Sequence, residues 1–179
     1  MSLKGFHLPK FVIGAVENIN RVLAYYKNRG KDLNEVIEKI DSLSQHINRC
    51  TTTEELMAIE GNIREKYYKA FDKILDNEHF VFQARSKRPP LNRINALISF
   101  GNSLLYTVCL SEIYNTHLDP RIGFLHTTNF RRFTLNLDVS EVFKPIIVDR
   151  VIFNLVNKSM IKPQHFESKL QGIVLNEKG

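Results

Sequence analysis

Apolar residues recur at steps of three and four along most of this chain, and that period leaves little choice of architecture. Val12, Ile13, Val16, Ile19, Val22, Leu23 and Tyr26 hold one helical face between Pro9 and Asn28, with Gly30 as a stop. Leu33, Val36, Ile37, Ile40, Leu43 and Ile47 form a second, narrower stripe suited to a partner helix. Thr52 and Glu55 have the spacing of a capping box and open a third helix that runs to about Leu75. Beyond the basic, proline-broken "SKRPPL", a fourth helix runs from Asn92 to Tyr114. Ile94, Leu97, Ile98, Gly101, Leu104, Leu105 and Val108 are expected on its inner face. Thr134 can cap a helix through "LNLDVSEVF", and Pro145 should kink or restart it before "IIVDRVIFNLV". "GIVLNEKG" reads as the start of a hairpin. The expectation is an all-α, multi-helix domain over residues 1–179, with a short β-hairpin near the C-terminus.

Composition agrees. Only 8 glycines and 6 prolines in 179 residues disfavour a many-turned β architecture. The 43% hydrophobic and 25% charged fractions are those of a soluble globular chain, and a net charge of +6 admits a polyanionic partner. Cys50 and Cys109 have no metal-ligand spacing and read as reduced thiols of a cytoplasmic protein. No apolar run is expected to reach the roughly 18 residues of a membrane span, and no signal-like segment opens the chain. Met1-Ser2-Leu3 resembles an expression leader, which fits a piece cut from a longer protein.

Three features interrupt the helical pattern. The stripe of the third helix runs Leu56, position 60, Ile63, Tyr67, Phe71, Ile74, and position 60 is Glu60. An ionised carboxylate there costs several kcal/mol unless it is paired or bound to a metal. Either the stripe is rotated, or Glu60 pairs with an arginine, or it is a ligand. Gly61 beside it thins the helix surface. Asp138 and Glu141 stand three apart with only Lys144 as a nearby cation, which leaves a solvated acidic face or a ligand pair. His126 ends the apolar approach "GFLH"; it is either an ordinary core or surface histidine or a third donor.

One imidazole with two or three carboxylates makes a nitrogen/oxygen set for Mg²⁺ or Mn²⁺. Arg85, Lys87, Arg88, Arg93, Arg121, Arg131, Arg132, Lys144 and Arg150 supply the cations that a phosphate backbone requires. A metal held inside a basic frame suits phosphodiester chemistry.

"AIEGNIREKYY", "KRPPLNRINALISFGNSLL", "LDPRIGFLH" and "LNLDVSEVFKPIIVDRVI" follow one another in order through most of the chain. They resemble the signature blocks of the universal CRISPR-associated adaptation endonuclease/integrase family, in its C-terminal catalytic domain. The resemblance implies metal ligands at Glu60, His126 and Glu141, with Asp138 near the site and Lys144 as its basic residue. It also implies Asn95 as the motif asparagine, which joins the cations Arg85, Lys87, Arg88, Arg93, Arg131 and Arg132 as the expected DNA contacts. Asn92, where the family usually has aspartate, Asn102 and Val139-Ser140 depart from the pattern without removing a ligand. The implied activity is metal-dependent integration and cleavage of DNA during spacer acquisition, an antiviral defence. Implied partners are double-stranded and branched DNA (protospacer and CRISPR repeat), a second copy as homodimer, and a small second adaptation subunit. The family's β-rich N-terminal domain is not visible here. The competing reading is a basic helical nucleic-acid-binding or scaffold domain without catalysis.

Overall fold

The computed structural model describes residues 8–126, 132–169 and 172–179. Helix α1 (Leu8–Lys27) buries the expected face, Val12, Val16, Ile19, Val22, Leu23 and Tyr26. Gly30, at φ +88°, then turns the chain out of it. Its N–H reaches Lys27 O, and that of Lys31 reaches Tyr26 O. This is the closing pair that a left-handed residue permits. Helix α2 (Asn34–Ser44) is shorter than its stripe, and Ile47 falls in a separate 3₁₀ turn, Ile47–Arg49. Helix α3 (Thr53–Leu75) begins with the complete capping box between Thr52 and Glu55. Helix α4 (Arg93–Tyr114) is capped by Asn92, whose side-chain oxygen accepts from Asn95 N at 2.8 Å. The amide nitrogen of Asn92 also donates to Phe82 O at 2.8 Å, a bond aspartate could not make. The departure from the family pattern therefore adds a tether for the preceding loop.

Two features of α4 differ from the sequence reading. Leu104 and Val108 are 54% and 57% exposed rather than inward, as is Phe100 at 53%. Asn95, Asn102, Cys109 and Ile113 are buried instead. A helix apolar on nearly all sides has no strong periodic contrast to fix its rotation. The same composition makes α4, by length and hydropathy alone, long and apolar enough to cross a membrane, against expectation. In this fold it packs beside α5 (Leu135–Phe143) and strand β2 (Gly172–Leu175).

After α5, Pro145 neither ends the path nor merely bends it. Pro145–Asp149 form one π-helical turn, closed by Asp149 N to Lys144 O, and the chain continues directly into α6 (Arg150–Asn157). Strand β1 (Phe166–Lys169) pairs antiparallel with β2, so the predicted hairpin is present. The centre of the core is aromatic. Phe153 meets Tyr26 and Phe71 edge-on, with centroids 5.3 and 4.6 Å apart, which locks α1, α3 and α6 together. Above it, α1 crosses α5 where Gly14 faces Val142 and Asn18 donates to Val142 O at 2.8 Å. That crossing sets where Glu141 points.

Candidate active site

The segment from Asp119 to His126 has no regular structure of its own, and α5 holds it in place. Pro120 O accepts from the N–H groups of Thr134 and Leu135, the open donors of the helix start. Thr134 does not cap with its side chain as expected. Its hydroxyl instead accepts from Gly123 N at 2.9 Å and donates to Arg121 O at 2.9 Å. A Cβ at Gly123 would lie 2.7 Å from that hydroxyl, so the approach requires glycine. One turn further, Asp138 is fully buried and accepts from three successive backbone N–H groups, Phe124, Leu125 and His126, at 2.5, 3.0 and 3.2 Å. The same carboxylate meets His126 Nδ1 at 2.6 Å. A carboxylate accepts, so Nδ1 donates and Nε2 is left for the cleft. An outer carboxylate fixing a ring in this way is the usual partner of a metal-ligating histidine. Asp138 thus positions the loop and the ring and does not itself reach the cleft.

Glu141, three residues on, faces α3. Arg64 Nη2 lies 2.5 Å from Glu141 Oε2 and 3.2 Å from Glu60 Oε1, and Arg64 Nε also reaches Glu60 Oε1 at 3.2 Å. Pro145 has no N–H, so the Glu141 carbonyl lacks its helical donor; Arg64 Nη2 approaches it at 3.5 Å. Lys144 Nζ bonds Glu141 Oε1 and sits 4.9 Å from the Tyr106 ring centre. Burial acts to raise the Glu141 carboxyl, but Arg64 and Lys144 outweigh it, with help from His126. They hold it well below the usual carboxylate range. Asp138 and Glu141 thus have separate partners, so the pair is neither a solvated acidic face nor a ligand pair aimed at one point.

Glu60, His126 and Glu141 line one cavity together with Phe11, Met57 and Leu125. It opens into a cleft of about 1170 Å³ that also carries Arg64, Lys144, Arg85, Lys87 and Arg88. Gly61 borders this cleft with open space where a Cβ would stand. The donor set of two carboxylate groups and an oriented imidazole fits a hard or borderline divalent cation. Among the described residues, no three His, Cys, Asp or Glu side chains already converge at metal-centre spacing. Arg64 stands between the two carboxylates. The sequence placed an arginine among the possible partners of Glu60 without naming Arg64, which lies one helical turn on.

The other predicted contacts divide. Arg85 lines the cleft, its guanidinium held by Asn95 Oδ1 at 2.8 Å and Ser99 Oγ at 3.1 Å. Asn95 was expected at DNA, but it is fully buried, and its amide is spent on Arg85, Ser86 N and Ala84 O. It holds the basic loop from behind. Arg93 bonds His79 O at 3.1 Å outside the cleft lining, and Arg132 lies over the Phe133 ring at 5.4 Å. Arg121 pairs with Asp119 at 2.7 Å. Arg131 falls outside the described residues.

The helical domain places Glu60, His126 and Glu141 beside a cleft that carries Arg64, Arg85, Lys87, Arg88 and Lys144. The family model for "CRISPR associated protein Cas1" matches residues 8–179, and the chain belongs to that family. A CRISPR-associated endonuclease Cas1 2 of Thermodesulfovibrio yellowstonii is 72% identical over 170 residues, covering 95% of this chain and 52% of that protein. A solved CAS1 protein from Thermotoga maritima superposes with a TM-score of 0.87 at 45% identity, covering 96% of this chain and 53% of that one. A casposase bound to integration product gives 0.86 at 25% identity, covering 96% and 48%. The chain spans about half the length of the relatives it matches.

Proposed function

We propose that this domain carries the metal-dependent endonuclease and integrase chemistry of CRISPR spacer acquisition. The observation that supports it most is that Glu60, His126 and Glu141 all line one cavity beside Arg85, Lys87 and Arg88. Glu60, Glu141 and Nε2 of His126 would hold Mg²⁺ or Mn²⁺, and a bound ion would supply Lewis-acid polarisation of the phosphate and a lowered pKa for the attacking hydroxyl. Asp138 keeps the imidazole in one orientation, with its proton on Nδ1. Lys144 fixes the Glu141 carboxylate, and Arg85, Lys87 and Arg88 bind phosphates along the cleft. The nucleophile is a DNA 3′-hydroxyl in strand transfer and water in cleavage, so no covalent enzyme intermediate is required.

Double-stranded and branched DNA, a second copy of the chain and the small second adaptation subunit are proposed partners of the longer protein. The test is cleavage of a branched DNA duplex by this chain with and without Mn²⁺. Mn²⁺-dependent cleavage that His126→Ala abolishes, at nearly unchanged DNA affinity, is expected. Full turnover by His126→Ala, or joint loss of binding and cleavage, would replace this reading with that of a DNA-binding module.

A further inference from the structure

Arg64 is the most heavily engaged cation of the cleft and the one whose position conflicts most with the proposed ion. Its Nη2 and Nε fill the interval between Glu60 and Glu141. A guanidinium does not deprotonate in a protein, so it cannot make room by becoming neutral. A divalent ion ligated by the same two carboxylates would lie within a few ångströms of it, where like charges repel strongly. Either the ion does not bind both carboxylates, or Arg64 moves.

The structure holds a place for it to move to. Below the cleft, three buried polar atoms have no hydrogen-bond partner among the described residues: Arg64 Nη1, Tyr67 Oη and Asp149 Oδ2. Asp149 is 1% exposed. Arg64 and Asp149 lie within electrostatic reach of one another, and Tyr67 approaches the Asp149 carboxyl as a side-chain hydrogen-bond partner, though short of good geometry. A buried carboxyl held only by a loose phenol contact, within electrostatic reach of an arginine whose Nη1 has no acceptor, is an incomplete ion pair. Asp149 is carried by the π-helical turn that begins at Pro145, so the same irregularity that frees the Glu141 carbonyl also supplies the second anchor.

We propose that Arg64 is a displaceable counter-cation with two seats. In one it bridges Glu60 and Glu141; in the other, taken when a divalent ion occupies those carboxylates, it pairs with Asp149 beside Tyr67. Arg64 is then a positioning residue that holds the acidic pair together until the ion arrives. This rests on the metal reading given above, in that the ion must use Glu60 and Glu141.

The test is calorimetric titration of MnCl₂ into the wild-type chain, Arg64→Gln, Asp149→Asn and the double variant, with metal-free melting curves alongside. Arg64→Gln should melt lower without metal and bind Mn²⁺ about tenfold more tightly, since its competitor is gone. Asp149→Asn should bind Mn²⁺ about tenfold more weakly, since the second seat is lost. In the Arg64→Gln background, Asp149→Asn should change nothing, a dependence that a merely structural role for Asp149 would not produce. Should Arg64→Gln fail to fold, Arg64→Lys replaces it, with tighter Mn²⁺ binding than wild type expected. An equal effect of Asp149→Asn in both backgrounds, or no gain in affinity on removing the guanidinium, overturns the proposal while leaving the metal site standing. If neither the wild type nor the Arg64 variants bind Mn²⁺, the metal reading itself falls, and this proposal with it.

Discussion

Replacing Asp138 by asparagine changes one atom and sets four hydrogen bonds against each other. Oδ2 accepts from Phe124 N and Leu125 N, while Oδ1 accepts from His126 N and meets His126 Nδ1. An amide offers one oxygen and one NH₂, so whichever way it turns, two donors face a donor inside a fully buried pocket. Hydrogen bonds to a charged acceptor contribute ~1.5–3 kcal/mol each, so losing two costs ~3–6 kcal/mol. On a domain of this size that lowers the melting temperature by ~6–24 °C. Calorimetry without metal, with urea unfolding as a second probe, measures it. The damage should centre on the loop that Asp138 holds, so amide exchange at Phe124, Leu125 and His126 should accelerate most. A melting point within ~2 °C of wild type, with those amides still protected, would refute the account of how the loop is held.

Asp149 has its pKa raised to about 7, chiefly by burial, with the Glu141 charge adding to it against the opposing pull of Arg64. Its stabilising contribution is therefore complete below its unfolded value near 4 and is lost as pH rises through about 7. Metal-free melting curves across that window should fall with pH, and Asp149→Asn should flatten the fall and melt higher than wild type at pH 8. Gly101→Ala would place a Cβ 2.6 Å from Val148 Cγ1, between α4 and the π-helical turn. A stiff β-branched neighbour makes this an overpacking of ~1–3 kcal/mol, larger than the ~1 kcal/mol gained in helix propensity, and Val148→Ala should relieve it in a double-variant melt. Lys87→Ala with Arg88→Ala should weaken binding to all DNA sequences and flatten the salt dependence by about one to two units. Arg93→Ala, on a side chain outside the cleft lining, should do less in the same binding assay.

What the sequence made legible was what short range decides. Thr52 and Glu55 are three residues apart, and the cap they form requires nothing beyond that turn. The stripe of α3 was also readable, down to the anomaly at Glu60, because a single carboxylate breaks a strong period. The face of α4 was not, since Leu104 and Leu105 are equally apolar and only the packing of Gly101 on Val148 decides which is covered. Asp138 and Glu141 share a helix face by spacing, yet one serves a loop and the other an arginine on α3. That division depends on the α1–α5 crossing, which brings together residues more than a hundred positions apart. Thr134 and Asn95 illustrate the same limit. Each has a side chain suited to a local cap or a ligand contact, and each is used to hold a distant segment.

Glu60, His126 and Glu141 are proposed to hold one divalent ion together. Anomalous diffraction from crystals of this chain grown with MnCl₂ tests it most directly. A single strong manganese peak is expected in the cavity, about 2.0–2.3 Å from His126 Nε2 and from an oxygen of each glutamate. A peak bound only at surface acids, or one in the cavity that leaves Glu60 and Glu141 both on Arg64, would contradict it.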